Sequence, residues 1–412
     1  MLAVSMNEPS PPPHVAPSCG DSSIDELMVW DRLELQARHA NRLQRGLESF
    51  SRDWLNSPAA LEHPQLSCWI GLRLHAPVPA ALDSAALPAG VKALWQGWLQ
   101  YDAAEFPAAQ SLFLQAWEAV AKPGETVWCT EAANAALGLG KTHTRSGHWS
   151  SARGWLLHAA AVARCIGDES LCFKAYGALG ELLLRAGQAS HGFSCLDMAY
   201  HLLPAGSGQR ARQLNYMGSA LRRLGEPLRA ESALMMSFHM ARDQGDVASQ
   251  WHALARLQFV ALDAQSPVDK TMRLQESLSL DQAAPAVARG FWQLGLARAR
   301  FQMKPDGAEL ATVGEQLRDA MQIFANGCLP MEYCWAALWL HRVCGDAEPW
   351  LAAREAVLRL MRMPELPPPR CPGVLDETLA TLPLATTNGF IELLSLPSDL
   401  EQLESLDSLF FI

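Results

Sequence analysis

Across residues 91–241 the apolar positions recur with a helical period, and one order of small and large side chains comes round four times. Gly97, Gly140, Gly180 and Gly218 align at intervals of 43, 40 and 38 residues. Nine residues after each stand Phe106, Trp149, Ala189 and Pro227. Twelve after stand the small Ala109, Ala152, Gly192 and Ala230, sixteen after the large Phe113, Leu156, Leu196 and Leu234, and nineteen after Ala116, Ala159, Ala199 and Ser237. Three copies carry another glycine seven residues on: Gly147, Gly187 and Gly225. The pattern predicts a helix, a glycine-marked turn and a second helix, with the small residues where the two cross closely and the large ones beside them. One such hairpin cannot bury its apolar face alone, so neighbours must stack.

The rest of the chain is read around this block. Residues 1–21 are rich in proline and predict a disordered segment. Ser23 with Glu26 is a capping box that opens a helix running to about Leu55, and Leu66–His75 predicts another. Residues 22–90 therefore read as a helical cap. Beyond Asp246 the repeat decays: Trp251–Leu262 pairs with Lys270–Leu280, Gly290–Met303 with Leu310–Phe324, and Tyr333–Val343 with Trp350–Met363, with Gly295 in the aligned glycine's place. No segment sustains period-two alternation, so no sheet is predicted. Five prolines in 364–372 mark a boundary. The remainder, to Ile412, is acidic and leucine-rich, ending in an amphipathic helix capped by Ser398 and Asp399, with Leu400, Leu403, Leu406 and Leu409 at intervals of three.

The small–large order resembles the tetratricopeptide repeat, in the long-helix form of bacterial regulatory proteins such as the maltose-activator type. The spacing is longer than that family's usual ~34 residues. The resemblance covers 91–241 directly and 246–363 in degenerate form. It implies an all-α, right-handed superhelical solenoid at 91–363, behind the helical cap and followed by a mobile tail at 364–412. In such repeats the first helix of each pair lines a concave groove, which places Trp98, Tyr101 and Asp102 there from the first copy, with Val91 and Leu94. The second copy supplies Asn134, Lys141, Arg145, Leu137 and Thr144; the third Lys174, Glu181, Arg185, Gly177 and Leu184; the fourth Arg212, Asn215, Arg222, Arg223 and Ser219. The last three copies thus bring seven bases and one acid to the groove. Arginine offers paired donors and asparagine can clamp a backbone, so a carboxylate or phosphate partner fits.

Composition changes this picture little. The chain has 412 residues, 49% of them hydrophobic, which is ample for a large core. Its net charge is −10, but from Glu365 onward there are eight acids and one base, so the preceding body carries only −3 and can hold a basic face. Ten cysteines show no metal-ligand spacing and suit a reducing cytoplasm. No apolar run approaches a membrane span, and the N-terminus has no secretory pattern. Residues 135–142, AALGLGKT, resemble the end of a phosphate-binding loop, but that loop needs a strand before it and the residues ahead have helical spacing. No convergent acid, base and nucleophile set is visible, so neither an enzyme nor a cofactor is expected. The expected function is a cytoplasmic adaptor or regulator binding a peptide of a partner, acidic or bearing an exposed carboxylate. The chain's own tail could dock in the same groove, dock on a partner, or cap the last apolar face of the solenoid. Neither membrane nor nucleic-acid binding is expected. A transcriptional regulator sensing a small-molecule signal or a peptide and a secretion-system chaperone are the alternatives.

Overall fold

The computed structural model describes residues 89–120, 129–205, 207–263, 286–303, 306–327, 329–366 and 379. Among them are thirteen helices and no strand. In chain order they are α1 Ala89–Asp102, α2 Phe106–Val120, α3 Thr130–Arg145, α4 Trp149–Ile166, α5 Glu169–Arg185, α6 Ala189–Leu202, α7 Gln209–Arg223, α8 Pro227–Asp243, α9 Val247–Asp263, α10 Ala286–Gln302, α11 Gly307–Asn326, α12 Pro330–Cys344 and α13 Glu348–Met361. The predicted cap at 22–90, apart from Ala89 and Gly90, lies outside the described residues. So do the helix predicted at 270–280 and the tail beyond 366, except Leu379.

Each helix packs on the next, and the first helix of each pair also packs on the first helix of the following pair: α1 on α3, α3 on α5, α5 on α7, α7 on α9. The first helices therefore form one continuous layer, and the chain is a helical solenoid. The aligned glycines explain the close pairing. A Cβ on Gly97 would lie 2.7 Å from the ring of Phe113; on Gly140, Gly180 and Gly218 it would lie 2.6, 2.6 and 2.5 Å from Leu156, Leu196 and Leu234. Those four large residues, sixteen positions on, are each fully buried. The turn glycines Gly147, Gly187 and Gly225 adopt φ of +78°, +77° and +74°, where a side chain is strained. The first copy has alanine at that place, and Ala104 is the one non-glycine residue at positive φ (59°) among those described.

The second half departs from the rule. Gly290, not the expected Gly295, faces its partner helix, its notional Cβ 2.7 Å from Phe324. Gly295 faces backward instead, to Gln258 and Phe259 of α9. Helix α12 is the extreme case: from Met331 to Leu340 every residue but Tyr333 is buried, Trp335 completely. A helix covered all round belongs in an interior, and α12 touches inner helices far from it in sequence.

The chain's end also returns to its beginning. Residues 361–366 lie along α2, α3 and α4, so the solenoid closes on itself. His148 Nε2 lies 3.0 Å from the Met361 carbonyl, Gln110 Nε2 donates to the Pro364 carbonyl at 2.8 Å, and Trp155 Nε1 to the Leu366 carbonyl at 3.1 Å.

Candidate binding surface on the inner layer

The first helices present the expected cations, and the structure shows what each one meets. At one end Trp98 and Tyr101 of α1 stand edge to face, 5.8 Å apart, and Lys141 of α3 lies over both rings, 5.5 and 5.2 Å from their centres. Arg145, one turn further along α3, donates from Nε to the Tyr101 hydroxyl at 3.3 Å. Helical spacing thus stacks aromatic and cation on adjoining helices.

Next comes a cluster of two arginines and two carboxylates, with Arg185 and Glu332 buried and Arg145 and Glu181 half-buried. Arg145 lies 3.6 Å from Glu181 and 3.7 Å from Glu332, and Arg185 lies 3.3 Å from Glu181 and 3.5 Å from Glu332. Glu181 sits four residues before Arg185 on α5, whereas Glu332 comes from α12. Burial alone would raise the Glu181 carboxyl, but Arg145 and Arg185 outweigh it and hold it at about 2. Burial likewise works against the charge on Arg145, and Tyr101, Glu181 and Glu332 overcome it. Such a cluster is stable only as a whole, since removing one member strands the others in a poor solvent for charge.

Further along, the cations crowd one another. Arg212 and Arg256 lie 5.9 and 5.4 Å from the Tyr216 ring centre. Arg256 Nε donates to Ser219 Oγ at 2.9 Å. Arg223 donates to the Leu184 carbonyl. Arg222 pairs with Asp263 at 3.4 Å and stands 5.7 Å over Phe259. Burial, then the neighbouring Arg222 and Arg185, pull Arg223 down to about 9. Burial pulls Arg256 down to about 10, against Tyr216 and Glu181 and with Arg222 and Arg212. On the far side Arg298 of α10 packs over Phe259, Trp335 and Trp339, 4.8 Å from the last. Phe259 and Trp335 stack at 5.6 Å.

The structure thus brings Trp98, Tyr101, Lys141, Arg145 and Arg185 together at one end, and Arg212, Arg222 and Arg223 beyond them. Asn215 is buried and donates to the Ser249 carbonyl at 3.1 Å, tying α7 to α9. Lys174 is exposed and Asn134 half-buried. Sequence reasoning missed Tyr216, Arg256, Phe259, Arg298 and Glu332. Tyr216 lies outside the aligned groove positions, and the others lie beyond the last clear copy, where no register was available. The phosphate-loop look-alike at 135–142 lies wholly inside α3, with Thr142 bonded to the Gly138 carbonyl at 2.8 Å. Among the described residues no three of His, Cys, Asp and Glu group to hold a metal ion, and no helix is long and apolar enough to cross a membrane.

Paired helices, close-crossing glycines and a layer of first helices lined by cations and rings define a tetratricopeptide-like helical solenoid. No family model matches the sequence, and no curated protein matches it. Twenty-one chains of solved structures do match. One is the crystal structure of a Rap protein complexed with competence and sporulation factor; identity is 12%, with 82% of this chain and 97% of that chain covered, at a TM-score of 0.46. Residue for residue the likeness is too slight to transfer a role.

Proposed function

We propose that the protein is a non-catalytic cytoplasmic scaffold or regulator that binds an acidic peptide segment of a partner along its inner layer. The observation that carries the reading is the seat of Glu332. A carboxylate brought by a helix remote in sequence is held between Arg145 and Arg185, the paired-donor chemistry at which arginine excels. Lys141, Arg212, Arg222, Arg223 and Arg256 extend that chemistry to both sides. Trp98, Tyr101 and Tyr216 stand among them as faces for apolar side chains. Acids steer such a ligand and apolar anchors hold it. The chain's own segment 398–412, with four acids among regular leucines, has matching chemistry and is a candidate occupant in cis.

Selection from a displayed library of short random peptides tests the class of ligand. The wild-type chain should retain sequences enriched in Asp and Glu with intervening apolar residues. The Lys141→Ala, Arg212→Ala double variant should lose that enrichment while melting within a few degrees of wild type. Recovery of neutral or basic sequences, or an enrichment indifferent to the double variant, would overturn the reading.

A further inference from the structure

The seam where the solenoid closes has the construction of a second recognition site. Residues 364–366 are neither helix nor strand. Pro364 fixes its own φ and biases Met363 toward an extended backbone. Side chains of α2 and α4, with the turn between α3 and α4, address this stretch almost residue by residue. Gln110, His148 and Trp155 take the carbonyls of Pro364, Met361 and Leu366. Ser151 Oγ donates to the Glu365 carboxylate at 2.6 Å, and Ser146 Oγ lies 3.2 Å from Met363 Sδ. Gly147 leaves room for Met361, whose Cε would be 2.9 Å from a Cβ there. All five contacting side chains are buried, at 5% exposure or less, yet none of these bonds serves the pairing of their own helices. Beside them Trp117 stands edge to face with Trp155 at 5.4 Å, giving the seam an aromatic wall.

We propose that this surface is a peptide-binding site distinct from the inner layer, specific for a proline-containing segment with a carboxylate directly after the proline. The chain's own residues 361–366 fill it in cis. Three side chains read carbonyls that any sequence offers, while Ser151 reads the acid and Gly147 admits the methionine. Hydrogen bonds of this kind exchange for bonds to water at a small net cost, larger where a charge accepts. The occupant can therefore be exchanged for the same segment in trans. Its release frees the end of α13 from the first two helix pairs, while Glu332 still ties α12 to Arg145. The site shares no residue with the inner-layer cations, so it stands or falls apart from the function proposed above.

The experiment weakens the occupant and leaves the receptor intact. Full-length wild type and Glu365→Ala are titrated against a fluorescein-labelled peptide of residues 360–370, followed by anisotropy. Glu365 is exposed, so the substitution spares the fold. The Glu365→Ala chain should bind the wild-type peptide about tenfold more tightly than wild type does, because the cis competitor has lost a charge-assisted bond. Adding Ser151→Ala to that chain should remove most of the gain, and a peptide lacking the carboxylate should bind the Glu365→Ala chain more weakly than the wild-type peptide does. A wild-type dimer that the free peptide dissociates would support the site with a second copy's segment as its occupant. Equal binding of the peptide by wild type and Glu365→Ala, including no binding by either, would overturn the proposal.

Discussion

The two halves of this solenoid reach a buried core by different means. From α1 to α8 each pair uses one contact, a glycine on the first helix beneath a large residue sixteen positions later, repeated from Gly97–Phe113 to Gly218–Leu234. From α9 to α13 that device is lost. In its place come single, unrepeated contacts: Phe259 stacked on Trp335, Arg298 spread over two tryptophans, Glu332 reaching Arg145 and Arg185. The repeated half is held by contacts close in sequence. The closing half is held by contacts such as Trp155 to Leu366, 211 residues apart. In a simple stack each unit answers only to its neighbours, and the ends can fray independently. The closing contacts give the last helices a stake in the first ones, so this chain should unfold as one body rather than from an end.

Trp335→Ala is the strongest way to break that comparison. Trp335 is fully buried in α12. Its truncation removes the stack with Phe259 and the face under Arg298, and should cost ~3–5 kcal/mol, the range for a buried large aromatic. Urea unfolding followed by circular dichroism should show one transition moved to lower denaturant. Two transitions, with only the earlier one shifted, would make the closing half an independent unit.

The same comparison explains what could be read in advance. Gly97, Gly140, Gly180 and Gly218 align by counting, so the pairing of α1 to α8 and the small residues at its crossings were legible. The placing of Lys141, Arg145 and Arg185 on first helices followed from that register. Glu332 did not, because nothing in the sequence around Leu329–Tyr333 says which helix it will face after the solenoid has closed. Gly295 stands in the aligned glycine's place in the sequence, yet it packs against Gln258 of the preceding inner helix. A local period reports contacts within a repeat; it carries no information on contacts made only when the ends meet.

Acid should weaken the fold through two histidines of the repeated half. His143, on α3 at the seam, and His158, in the outer helix α4, are both lowered to about 4, each chiefly by burial, with His148 adding to the effect at His143 and Glu365 opposing it. Both rings are neutral in the folded chain, whereas the unfolded chain takes up protons near 6.5. The stability they confer is therefore whole above about pH 6.5 and is lost as the pH falls toward 4. At about 1.4 kcal/mol per unit, each contributes roughly 2–3 kcal/mol to that decline. His158→Phe keeps a ring 4.9 Å from Trp117 and removes the titration. Its stability should fall less than wild type's between neutral pH and about pH 4.5, by roughly 2–3 kcal/mol in urea melts. Parallel pH profiles would mean that His158 is not the buried neutral base described.

The smallest effect tests the repeat at its one irregular turn. Gly147, Gly187 and Gly225 close the second, third and fourth hairpins with left-handed backbone, and Ala104 must do the same in the first, at φ 59°. An L-residue there costs roughly 1–2 kcal/mol that glycine escapes. Glycine's greater freedom in the unfolded chain returns part of that difference. Ala104→Gly should therefore stabilise the protein by about 0.5–1 kcal/mol, read as a higher urea midpoint at an unchanged slope. The mirror change sharpens the test. Gly187 has nothing within 4 Å of a notional Cβ, so Gly187→Ala introduces strain without a clash and should cost about what Ala104→Gly gains. Equal and opposite shifts would show that the four turns share one geometry and that the first copy carries its alanine at a penalty. If Ala104→Gly lowers the midpoint while Gly187→Ala also lowers it, the first hairpin turns by a different rule and does not belong with the other three.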